Sequence, residues 1–264
     1  MVDYACRLPD GIVAGDIPLS RISAYQKSSY SYDLFHQIYC LPQQLRINYL
    51  FEDVTHIPEK PTFVKSRPIS TSRNSNSILL PLNCRRHFYN IRDPFTLPQK
   101  TPRLIWRGAA HQRHRVEFLK KAFALPCCDV ANTAKVPGLE DLTRPYMSIR
   151  EQLRYRFILA LEGNDVASNL FWVLCSNSVA FMPKPKYEIW AYPGRLRAGI
   201  HYVEIDPSCE DLAETIQYYA ENPKACSRIV EAAHAYCMPF KDLERQYRIG
   251  REVILEFARL SGQI

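Results

Sequence analysis

With 264 residues, 47% hydrophobic and 12% aromatic, the chain can bury the core of one large domain or of two ordinary ones, and it is not disordered from end to end. The formal charge of +7 points to an anionic partner such as a phosphorylated small molecule, nucleic acid or membrane headgroups. Lysines and arginines are scattered and no recognition motif for nucleic acid occurs, so nucleic acid is not expected.

Nine cysteines, from Cys6 to Cys237, show no CxxC pair and no Cys/His ligand set, which reads as reduced, buried thiols in a reducing compartment. The start, MVDYACRLPDGIVAGD, lacks the basic and apolar regions of a signal peptide. No apolar run reaches the roughly 18 residues of a membrane span. A cytoplasmic protein, at most resting on the inner face of the membrane, is the expectation.

In chain order, SYSYDLFHQIYCLPQQL (29–45) predicts one or two helices. Prolines at 58, 61, 68 and 81 then divide the chain into short extended pieces, among them TFVKS and SILLPL, which read as strands of an N-terminal sheet. RHFYNIRDPFTLPQKTPR predicts a helical turn and a Pro-rich linker. Beyond it RLIWRG is a strand, HRVEFLKKAFA a helix, FILALEG a buried strand, ASNLFWVLCSN a helix and SVAFMP a strand. That alternation predicts an α/β fold with a doubly wound parallel sheet. Three helices close the chain: one capped by Ser208, one opened by Pro223, and an amphipathic one with apolar Leu243, Tyr247, Val253, Phe257 and Leu260. The expected units are 1–102, 103–238 and a C-terminal helix, 239–264, packing back across them.

In a parallel sheet, ligands bind beyond the carboxyl ends of the strands, where loops lead into helices. EGNDVAS, Glu162 to Ser168, lies at such a place. Gly163 lets the backbone approach a ligand, Asn164 or Asp165 can cap, and small Ala167 and Ser168 leave room, so the turn can seat a phosphate. A glycine and a capping asparagine also suit any strand-to-helix turn. Arg107 and Gly108 of WRG end another strand, and an arginine fork can hold a diphosphate. Asp53 stands in a loop ahead of a strand ending in Lys65 and Arg67, where a carboxylate could take a proton from a substrate hydroxyl. No Walker A loop, GxGxxG, GxSxG or HExxH occurs. No Asp-x-Asp pair is present to hold a nucleotide through a cation.

WRG, VKSRPI, NSILLPLN followed by RRHF, and EGNDVASNL with a downstream HYV form an ordered set over about residues 48–237. The set resembles glycosyltransferase family 90, most of all its short bacterial lipopolysaccharide-core members. The resemblance implies a GT-B-like pair of Rossmann-like domains and inverting transfer from a UDP-sugar without a metal or other cofactor. The acceptor would be a lipooligosaccharide core at an anionic membrane, with a protein serine or a non-catalytic UDP-binding role as alternatives. Asp53 corresponds to the family's base, although Glu52 stands where the animal members have arginine; Asp93 in IRDPF is the second candidate. Arg107, Gly108 and the turn from Gly163 would bind the nucleotide sugar, and Asn169 occupies the place of a family arginine. Arg115, or Lys65 with Arg67, would then supply the missing charge, and Glu188 would meet the donor hydroxyls. His201 and Tyr202 match the family's His-Tyr pair, with His201 expected to pack rather than react.

Overall fold

The computed structural model describes residues 8, 12–23, 28–69, 74–191 and 194–264, so Cys6 lies outside the described residues. Strand β1 (Ile17–Pro18) pairs antiparallel with β2 (Arg46–Ile47), on either side of α1 (Ser29–Ile38). Helix α1 begins where the Ser28 hydroxyl accepts from the Ser31 amide at 3.2 Å. Then come β3 (Tyr49–Leu50), β4 (Thr62–Val64), β5 (Ser66–Pro68), β6 (Ser77–Leu79) and the single turn α2 (Cys84–His87). β3, β4 and β6 form a parallel sheet in the order β3-β4-β6, in the segment expected to supply an N-terminal sheet.

The larger half contains β7 (Thr101–Gly108), α3 (Arg113–Ala122), β8 (Cys128–Asn132), α4 (Ile149–Gln152), β9 (Tyr155–Leu159), α5 (Leu170–Leu174) and β10 (Val179–Met182). It continues with β11 (Tyr187–Ile189), β12 (Val203–Glu204), α6 (Leu212–Glu221), α7 (Pro223–Cys237) and α8 (Leu243–Leu260). Five strands make one parallel sheet in the order β12-β10-β9-β7-β8. From β7 the chain winds one way to β8, then returns past β7 to β9 and beyond. Connections therefore diverge between β7 and β9, and that divergence opens a crevice at their carboxyl ends.

Both faces of this sheet are covered, so alternate residues enter different cores. Leu104, Trp106, Phe157, Leu159, Val179 and Phe181 pack with α3, α6 and α7. Ile105, Ile158, Ala160, Ala180 and Met182 face the other way and share one core with the N-terminal sheet and α8. The two sheets are thus joined through a continuous apolar layer.

Helix α8 packs against the N-terminal sheet and α1. The Phe63 and Phe257 rings meet edge to face at 5.2 Å, and Tyr247 donates to buried Asp33 at 2.6 Å. The other Asp33 oxygen accepts from the Cys84 amide at 2.7 Å, tying α1, α2 and α8 to one carboxylate. Of the expected apolar face of α8, Leu260 is exposed.

Three sequence expectations change. Ser208 does not cap α6: Asp211 holds that position, and the Ser208 hydroxyl accepts from Glu210 within a tight turn where Cys209 has φ of 61°. The expected helix over 167–177 shrinks to the five residues of α5. Strands β8, β11 and β12 were not anticipated, because each takes its hydrogen bonds from a neighbour distant in sequence, and β11 and β12 span only three and two residues.

Gly250 lets α8 approach α1. A Cβ there would lie 2.0 Å from Gln37 Oε1 and 3.1 Å from Pro81 Cδ. Gly250→Ala should therefore destabilise by about 1 kcal/mol or more in urea titration, overpacking outweighing the gain in helix propensity. Burial, followed by the nearby charges of Lys65 and Arg86, pushes the His87 imidazole down from 6.5 to about 3. With a depressed folded pKa, the unfolded chain takes the proton first, so stability falls as pH drops below 6.5 towards 3. Between about pH 7 and pH 5 this group should remove up to about 2 kcal/mol of stability, and His87→Gln should lack that component in paired urea titrations.

Candidate active site

The crevice between β7 and β9 is closed at its base by Arg115, one turn into α3. Its guanidinium donates to the carbonyls of Ala109 (2.9 Å), Leu161 (2.7 Å) and Glu162 (2.8 Å), and stands 5.6 Å from the Trp106 ring. No carboxylate neutralises it among these partners. Burial, then the charge of Arg86, lowers it from 12.5 to about 10, which leaves it cationic at neutral pH. Arg115 thus fixes the turn after β9 and places positive charge behind it. Gly163 passes directly over this group: a Cβ there would stand 3.4 Å from the guanidinium.

The turn from Gly163 to Ser168 reaches α5 only at Leu170, so a long helix dipole does not point into it. Asn169 does not cap either; its amide group donates to the Leu159 carbonyl at 2.9 Å. What the turn offers is a run of donors, since the backbone amides from Asn164 to Ser168 meet no acceptor among the described residues. Consecutive free amides suit an anion. Ala167 is buried and Ser168 half-buried beside them.

Across the crevice stands Asp53, from the loop between β3 and β4. One oxygen accepts from Lys65 Nζ at 2.6 Å and the other from Asn164 Nδ2 at 3.1 Å. Lys65, only 1% exposed at the β4–β5 junction, is also 2.6 Å from Asp165. Burial pushes the Asp53 carboxyl up, but the hydrogen bond and charge of Lys65, with Asn164 and Arg86, outweigh it and hold the group below its usual value. Burial dominates at Asp165 and raises it despite Lys65. Lys65 itself is raised: burial opposes its charge, and Asp165 followed by Asp53 more than compensate.

The other expected residues are placed differently. Arg67 and Glu188 meet each other at 2.6 Å as register partners of the β5–β11 pair, so Glu188 is spent on Arg67. Arg107 turns along its sheet onto Asp129 at 2.6 Å, and the Gly108 backbone packs against the Trp106 ring. Asp93 is 3% exposed; it accepts from Lys100, Asn177 and Phe95, leaving no face for a substrate hydroxyl. His201 accepts from the Arg197 amide and lies 5.0 Å from the Tyr236 ring, and Tyr202 donates to Glu204.

Beside the turn lies a cleft of about 740 Å³ at the carboxyl ends of β9, β10 and β12. Gln112, His114, Asn164, Lys184, Lys186, Asp206 and Asp211 are among its lining residues. Its cations were missed from sequence. The available signal was the pair of lysines in PKPK, directly after strand β10, where a parallel sheet presents its ligand loops. Arg86 was quoted within RRHF without a role, yet its charge acts on Asp53, His87 and Arg115, and it forms no side-chain hydrogen bond or ion pair among the described residues. Among those residues no group of three or more His, Cys, Asp or Glu is placed to hold a metal ion, and no helix is long and apolar enough to cross a membrane.

A family model described as Glycosyl transferase family 90 matches residues 86–261, well over half the chain. LpsA of Dichelobacter nodosus, named as an O-glucosyltransferase, is 45% identical over 213 residues, which make up 81% of this chain and 67% of that protein. Among solved structures, the C-terminal domain of LpcC, a group 1 family glycosyl transferase from Francisella tularensis, aligns with 52% of this chain and 83% of its own. That alignment has 11% identity and a TM-score of 0.34, too low to inform either fold or function. On the family match and the 45% identical relative, the chain belongs to glycosyltransferase family 90.

Proposed function

We propose that this protein is an inverting, metal-independent hexosyltransferase that moves glucose or galactose from a UDP-sugar to a hydroxyl of a lipooligosaccharide core. Family membership supports the transferase, and a relative named as an O-glucosyltransferase favours glucose. The three-stranded and five-stranded parallel sheets would be the two lobes of a GT-B-like pair, with the acceptor on the N-terminal side and the donor on the other. The +7 charge suits a phosphorylated acceptor at an anionic, inner membrane face.

The observation that carries the mechanism is the position of Asp53, still 32% exposed and held between Lys65 and Asn164 opposite the Gly163 turn. In this reading the acceptor hydroxyl gives its proton to Asp53 as its oxygen bonds the anomeric carbon. The bond from that carbon to the diphosphate breaks on the opposite face, and UDP departs with the electron pair. Donors aimed at the developing charge lower the barrier. Arg86, the amides of Asn164 to Ser168 and the charge of Arg115 supply them, with His114, Lys184 and Lys186 along the cleft. An Asp53 held below the usual carboxylate range is a weak base, suited to receiving the proton late, once the new bond is well advanced.

Purified protein should release UDP and form an inverted glycoside with UDP-glucose or UDP-galactose and truncated lipooligosaccharide. Asp53→Asn should lower kcat by about 10²- to 10⁴-fold while UDP still binds in calorimetry. Arg86→Ala should weaken UDP binding by about tenfold, the loss expected for one charged hydrogen bond. Transfer only to a folded protein would overturn the acceptor assignment. Absence of UDP release with every UDP-sugar would overturn the donor, and an unchanged kcat in Asp53→Asn would remove Asp53 from its role.

A further inference from the structure

We infer that Asn164 and Asp165, neighbours on the turn after β9, are positioning residues that clamp Asp53 and set its basicity, so that the donor-side turn also tunes the base. This rests on the role proposed for Asp53. Asn164 reaches one oxygen of Asp53 at 3.1 Å, and Asp165 reaches Lys65 at 2.6 Å, the same ammonium that holds the other Asp53 oxygen at 2.6 Å. Two consecutive side chains from the large sheet thus grip both ends of an ion pair that belongs to the small one. Asn164 is itself fixed by Gln112 Nε2, at 3.0 Å, from the start of α3. Within the turn the Gly163 amide donates to the Asp165 carbonyl at 2.9 Å.

The two clamps act in opposite senses. Asn164 donates to the ionised carboxylate and so favours its charged, less basic form. Asp165 competes for the Lys65 charge and adds a negative one, leaving Asp53 more basic than Lys65 alone would make it. The other groups facing this cluster come from three elements. Arg86 and His87 lie on α2, with His87 neutral above about pH 3. Tyr30 of α1 has its ring 5.8 Å from Lys65 Nζ. Glu162 lies on the turn, bound by the Lys186 and Tyr187 amides. Burial raises Glu162 and Asp165 as well, so only the direction of change between variants isolates the clamp.

Carboxyl ¹³C NMR titration of Asp53 in the full chain, paired with the pH profile of kcat/KM, tests this. Asn164→Ala should move the Asp53 titration and the acid limb of the profile upward, and Asp165→Asn should move both downward, each by about one pH unit. Asp165→Glu should return the limb towards wild type. Shifts in the same direction, or no shift in folded protein, would overturn the clamp. If Asp165→Asn fails to fold, Asn164→Ala decides alone, since that side chain is exposed. Should wild type transfer no sugar, the proposed function falls, while the NMR titration still decides whether the clamp exists.

Discussion

Lys65 carries its ammonium into the seam between the two sheets, 1% exposed, with Asp53 on one side and Asp165 on the other, each at 2.6 Å. Taking such a charge out of water costs several kcal/mol, which only close, oriented counter-charges offset. The requirement is geometric: β4 must deliver the lysine, the β3–β4 loop one carboxylate, and the turn after β9 the other. The relative placement of the sheets and the orientation of Asp53 are therefore one problem. A shift between the halves would strand a buried ion, and this ties the reactive geometry to the fold.

The second constraint is the reversal of strand order between β7 and β9. It leaves a gap in which Arg115 is held by three carbonyls and no carboxylate, and over which Gly163 passes without a side chain. Positive charge behind the turn, unpaired amides along it and lysines beside it make a field suited to a diphosphate leaving group. Three acidic residues are neutralised by partners of their own, Asp129 by Arg107, Glu188 by Arg67 and Asp93 by Lys100, while Asp206 and Asp211 stay in the cleft lining.

Much of this was legible from residue pattern. The strand-helix alternation after residue 103 foretold a parallel sheet, and Pro223 marked the start of α7. Asp53, Lys65, Gly163 and Asn164 were singled out in separate motifs and meet in space. Other partnerships were invisible in one dimension. Arg107 and Glu188 looked like ligand residues because strand ends carry ligands, yet a neighbouring strand brings each an opposite charge, Arg67 in register with Glu188 and Asp129 two positions before the residue opposite Arg107. Asp165 passed as one of two capping choices, and Arg86 as one residue of the RRHF motif.

By itself, the sequence determined part of the local structure: the strands and helices that apolar period and proline punctuation mark, and which turn carries the glycine. The ordered motifs also pointed to the family. Only the tertiary structure decided which charges neutralise one another and which stay free to act. Side-chain electrostatics falls off over a few ångströms and depends on burial, and both are set by packing between segments as far apart as Asp53 and Asn164, 111 positions along the chain.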